Sequence, residues 1–220
     1  MAKKRDALGN TKLFPVSEFR GLSDMDNELK ILEDPQFNEA NKLMADRWKP
    51  KHNIAFVSLC SSTRPYHHSP KWKKFIDLFG KDCDMIVSSN GGVIPQEWWN
   101  SYPFLTYDAG EHLDDDLYKR ILYDRWKYFF DNNSYEYIIM NFKEHQRNYE
   151  PAQQLCKELL LEKKIKGYTF IPDAETYIQI LEKPHQKLFP DINPIALEVM
   201  NKYIKSVSNS KPLKSKNGVL

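Results

Sequence analysis

Cysteine is scarce in this 220-residue chain: Cys60, Cys83 and Cys156 are an odd number at wide spacing, with neither a CxxC pair nor the density of a disulfide-stapled domain. A reducing compartment is expected. Excess charge is absent too, since 32 Lys and Arg face 30 Asp and Glu for a formal net charge of +2, and any basic surface for a polyanion has to be local. No stretch approaches the roughly 20 apolar residues of a membrane span, and the basic residues 1–10 are followed by no apolar h-region. These absences exclude membrane insertion and predict a soluble, untargeted, cytoplasmic protein, the cytoplasm being a host's if the chain is viral. There is no dinucleotide fingerprint, no P-loop and no ligand run at zinc spacing, so neither a metal nor an organic cofactor is expected.

What is present is alternation. Residues 53–59 and 84–88 are short apolar runs bounded by polar residues, the pattern of strands buried on both faces of a parallel sheet. An aromatic helix over 70–79 between them makes a right-handed βαβ unit. Further strands are expected over 104–107, 135–141 and 166–171, with helices over 113–130, 151–161, 173–181 and 194–203. Apolar residues recur at helical intervals over 26–48, and Pro35 divides that stretch or starts a second helix. The fold class predicted is α/β, three-layer, with a mostly parallel sheet covered by helices on both faces. Residues 1–25 read as an arm, 26–204 as a single domain with its motif-bearing core at 54–141, and 205–220, with Lys205, Lys211, Lys214 and Lys216, as a basic flexible tail.

Ligands of open α/β sheets bind beyond the carboxyl ends of the strands, so the residues after each strand are the candidates for chemistry. At the end of the first strand, Ser58-Leu59-Cys60-Ser61-Ser62-Thr63-Arg64-Pro65-Tyr66-His67-His68-Ser69 packs hydroxyls, a thiol, a guanidinium and imidazoles into one segment. The second strand ends in Ser88-Ser89-Asn90-Gly91-Gly92-Val93-Ile94-Pro95, where glycine permits positive φ and close approach of backbone N–H groups to a ligand. Tyr107-Asp108 and Asn141 close two further strands, and all these ends are expected to line one pocket. Asp108 is the carboxylate among them. Each has a plainer reading: Cys60 as a small buried hydrophobe, Asp108 as a helix cap, Asn141 as a turn residue, the Trp and Tyr rings as core. Arg64, Lys71, Lys73 and Lys74 form a candidate nucleic-acid patch, with Lys71 and Lys74 on one helical face.

The 60–69 segment resembles the Pro-Cys-Ser, Lys-Pro-Tyr, Ser, His signature of the archaeosine synthase core domain. The stretch 87–97 (Val-Ser-Ser-Asn-Gly-Gly-Val-Ile-Pro-Gln-Glu) is similar to that family's Gly-Leu-Val-Pro-Arg-Glu turn, and 102–108 (Tyr-Pro-Phe-Leu-Thr-Tyr-Asp) to its Tyr-Pro followed by Tyr-Asp. The motifs stand in the family's order and span 54–141. The resemblance implies a uracil-DNA-glycosylase-like α/β fold and a reaction in which the side-chain amine of lysine adds to the nitrile of a cyano-deazaguanine in transfer RNA, giving an amidine-like adduct. It assigns Asp108 to hold or deprotonate the ammonium, and Tyr66, Ser61 and the Gly91-Gly92 backbone to stabilise charge on the nitrile nitrogen. Cys60 has the alternative role of adding first, as a thiolate, to give a thioimidate that the amine displaces. Arg64, His67, His68, Ser69, Asn90, Tyr107 and Asn141 fall to substrate binding.

The departures are Leu59 where the family has proline, Arg64 where it has lysine, and Trp72 where it has the motif's histidine, leaving His67 or His68 as the replacement imidazole. A transglycosylase-like half and an RNA-binding module are not recognisable, which points to a partner subunit for the nucleic-acid grip. It also points to a stand-alone relative: a phage-type transferase that places an amino acid on an activated hydroxymethyl-pyrimidine in DNA. From other classes, a non-catalytic nucleic-acid-binding module and a base-excising glycosylase remain; the latter is suggested by Arg64-Pro65-Tyr66-His67, which lacks that enzyme's activating aspartate.

Overall fold

The structure, a computed structural model, describes residues 35–61, 63, 65–89, 92–101, 115–144, 146–182 and 192–208. Helix α1 (Pro35–Arg47) precedes strand β1 (Ile54–Leu59); a 3-10 turn (Tyr66–His68) leads into α2 (Pro70–Phe79) and β2 (Asp84–Ser89). Strand β3 (Gly92–Pro95), a second 3-10 turn (Gln96–Trp98), α3 (Asp115–Asn132), β4 (Tyr137–Asn141), α4 (Tyr149–Leu161), β5 (Gly167–Phe170), α5 (Ala174–Leu181) and α6 (Pro194–Ser208) follow. Local chemistry accounts for several boundaries. Pro70 opens α2 where a missing N–H is harmless, and the Asp173 side chain caps α5 by accepting from Thr176 N at 2.8 Å.

The strands form one sheet in the order β3-β2-β1-β4-β5, parallel except for β3, which pairs antiparallel with β2. β1 and β2 are buried almost throughout, as their apolar runs require of a sheet covered on both sides. The crossover from β1 through α2 runs outward to β2, and that from β4 through α4 runs the other way to β5. Right-handed crossovers in opposite directions place their helices on opposite faces. Phe75 and Phe79 of α2 accordingly meet Phe56 on one face, at ring separations of 4.9 and 5.6 Å, whereas Tyr149 of α4 meets Phe170 on the other at 4.6 Å. Trp126 of α3 stacks on Phe142 at 5.7 Å on the α4 face, and α3 packs between α1 and α4. The molecule is a three-layer α/β domain.

Two differences from the expected elements have physical causes. β3 was not expected, although Asn90-Gly91 between two apolar runs is the sequence of a tight hairpin turn. α6 continues to Ser208 because Met200 and Ile204 still reach the core, which puts Lys205 in the last helical turn and not in the tail. The expected strand over 104–107 and the first helix of 26–34 lie outside the described residues. Among the described residues, no helix is long and apolar enough to cross a membrane.

Candidate functional site

Because β1 and β4 are neighbours whose crossovers diverge, the crevice between their carboxyl ends is the topological switch point, where open α/β sheets bind ligands. Ser58 and Asn141 stand there in register, on the α2 face of the sheet. Asn141 Nδ2 donates to Ser58 Oγ at 3.0 Å. Both are buried, Asn141 to 2 % exposure, and its Oδ1 takes no hydrogen bond. Buried side-chain oxygens are ordinarily satisfied, so this open acceptor, held in place by its own amide nitrogen at the switch point, is a candidate ligand contact.

The opposite face of the same edge carries a second polar array. Ser88, paired with Leu59, accepts from Asn148 Nδ2 at 2.9 Å; Asn148 Oδ1 accepts from the Tyr118 hydroxyl at 3.1 Å, and the Arg147 guanidinium lies 4.6 Å over the Tyr118 ring. Ser58 and Ser88 open the strand-end clusters read from sequence but were given no role there, and Asn148, Tyr118 and Arg147 lie outside those clusters. The available signal was a serine near the end of each strand where the flanking apolar run predicts burial. Cys60 follows directly on β1, half-buried, with its backbone N–H donating to Ser88 O at 2.9 Å. The other thiols are inert by contrast: burial pushes Cys83 and Cys156 far above the ordinary thiol range.

The described side chains of the 60–69 loop go to different places. Tyr66, assigned to charge stabilisation, is 0 % exposed and sits edge-on to Trp99 at 5.7 Å, so its ring belongs to the core. Trp72, at the position of the family's histidine, is buried in the same aromatic group, 4.9 Å from Trp99. The Ser61 hydroxyl donates to Thr63 O at 3.1 Å and closes a local turn. Ser69 is buried at the start of α2, with its carbonyl accepting from Lys73 N. His67 lies 4.2 Å from His68 with the ring planes tilted, and lines a cavity at the amino ends of the strands together with His52 and Glu97, away from Asn141. Gly92 does adopt positive φ, at +117°, but the neighbour it accommodates is the Asn41 side chain and not a ligand. Lys73 and Lys74 are exposed on α2, and Lys71 is half-buried beside the Trp72 ring. Arg64, Asn90, Gly91, Tyr107 and Asp108 lie outside the described residues. Among the described residues no cluster of His, Cys, Asp and Glu could hold a metal ion.

The fold class is thus a three-layer α/β domain with a mostly parallel sheet, and comparison with known proteins gives the family. A family model described as "Domain of unknown function (DUF5591)" matches residues 38–187 of the 220, and the chain belongs to that family. A solved structure titled "Crystal structure of AF0587, a protein of unknown function" is similar at 10 % identity and a TM-score of 0.48, over 77 % of this chain and 50 % of that one. The chain thus spans half the length of that structure. No curated protein matches.

Proposed function

We propose that the protein is a transferase that joins an amino-acid amine to a modified or activated base in nucleic acid. The observation that carries this reading is the buried, unpartnered Asn141 Oδ1 at the switch point, beside the Cys60 loop that resembles the archaeosine synthase core. A fixed acceptor in a buried crevice suits recognition of an N–H on a base edge. In the reaction the resemblance implies, the amine nitrogen bonds to the nitrile carbon, one C–N π bond breaks, and the nitrile nitrogen takes up a proton, giving an amidine with no leaving group. Asp108 is the residue assigned to the ammonium and its proton. Cys60 is a nucleophile beside the crevice, and the roles of Tyr66 and Ser61 in this reading are those the resemblance implies.

Mass spectrometry of nucleosides from DNA and RNA of cells making the protein tests this. A new nucleoside heavier by an amino acid, in one polymer, is expected. Asp108→Asn should reduce it, with single-turnover rates falling about a hundredfold or more, the scale of a general acid–base role. No new mass, or an undiminished one in Asp108→Asn, would refute the assignment.

A further inference from the structure

At the amino ends of β1 and β2, remote from the crevice, lies a cavity of about 410 Å³ lined by Lys51, His52, His67, Gln96, Glu97 and Asn100. Asp84, buried at the start of β2, organises it. Its carboxylate accepts from Lys51 N at 2.9 Å, more weakly from His52 N at 3.4 Å, from His52 Nδ1 at 2.8 Å, and from the Tyr135 hydroxyl. Burial first, and then Asp84, push the Tyr135 hydroxyl well above its ordinary range, so it stays protonated and donates; Trp48 Nε1 fixes its oxygen at 3.1 Å. A carboxylate so surrounded by donors acts as acceptor toward His52 as well. The imidazole therefore donates from Nδ1 to Asp84, which orients its Nε2 edge toward the cavity.

The charged groups of the lining are arranged around Glu97. Lys51 Nζ is held by Glu97 Oε1, a bond that is the largest cause of its raised pKa. Glu97 Oε2 is buried and accepts nothing. His67 is neutral near pH 7, since desolvation and then His68 and Lys73 lower it below the ordinary imidazole value. We infer that this cavity is a second ligand site, one that binds a small primary amine through its ammonium, with Glu97 Oε2 as the principal acceptor and the His52 ring beside it. An ammonium supplies N–H donors and a positive charge, and the buried unpaired atom of this wall is half of a carboxylate. The inference is independent of the transferase reading, because Cys60 and Asn141 lie at the opposite strand ends.

The test is a titration of the full chain with ethylamine hydrochloride at constant ionic strength, read by imidazole ¹⁵N–¹H correlation spectra, with propionate and ethanol as controls. A saturable shift of the His52 Nε2 resonance with ethylamine alone is expected. Glu97→Gln should weaken binding about tenfold or more, the loss of one charge-assisted hydrogen bond, with melting unchanged because Glu97 is partly exposed. Lys51→Met should tighten binding by releasing Glu97 Oε1, which a merely structural pair would not do. The site is overturned by no saturable shift, by an equal response to propionate or ethanol, or by a Glu97→Gln protein that binds ethylamine as well as the parent.

Discussion

The Ser58–Asn141 pair allows a direct separation of structural from ligand-directed polarity. The amide donates to the hydroxyl at 3.0 Å inside the sheet, and the carbonyl oxygen of the same amide has no partner. Ser58→Ala removes the acceptor of that bond and leaves a buried N–H group unpaired, at a cost of about 1–3 kcal/mol. For a chain of this size each kcal/mol moves Tm by about 2–4 °C, so the single variant should melt roughly 2–12 °C lower. Asn141→Leu costs less, about 1 kcal/mol, because it orphans a hydroxyl that can rotate and removes an oxygen that was already unsatisfied. Replacing both partners by apolar groups of similar shape is nearly neutral or stabilising, so Ser58→Ala/Asn141→Leu should return to within about 0.5 kcal/mol of the parent or exceed it. Denaturant midpoints of the parent, the singles and the double give the coupling energy, and nucleoside mass spectrometry on the same proteins gives function. The expected combination is a stable double variant that modifies no base, the pattern of a site kept polar at the expense of stability. A double variant destabilised by the sum of the singles, or one that still modifies nucleic acid normally, would refute the role given to Asn141.

Further outcomes follow from single positions. Gly92→Ala should cost about 2–5 kcal/mol, combining a strained positive φ with overpacking, which thermal denaturation would register. An added Cβ would stand 1.9 Å from Asn41 Oδ1, and Asn41 is buried and tied by Nδ2 to Phe37 O at 2.8 Å, so it has nowhere to swing. If α2 carries nucleic acid, Lys71→Gln/Lys74→Gln should flatten the dependence of log affinity on log salt by nearly two units for duplex DNA, about 0.9 for each phosphate left without its lysine. An unchanged slope removes α2 from the interface.

The elements were legible because their determinants are local. An apolar run such as Ile54–Leu59 has few ways to bury both faces, so strands β1, β2 and β4 and helix α2 follow from pattern and punctuation alone. β3 escapes such reading although its turn residues are in view, because a strand of four residues is too short to show a period. The site was less legible, because its partners come from distant parts of the chain. Ser58 and Asn141 are 83 residues apart and become neighbours through the β1–β4 register; Asp84 and His52 meet across the start of two strands. The loop that carries the motif residues shows the limit most clearly. Its sequence puts a thiol, a tyrosine and imidazoles side by side, but folding sends Tyr66 into the core and His67 to the amino-end cavity, leaving Cys60 near the crevice. Sequence by itself determined which segments form strands and helices and that the strand ends are polar, since burial period and turn chemistry act within a few residues. Which polar groups face one another was decided by the tertiary structure alone, through strand order and register.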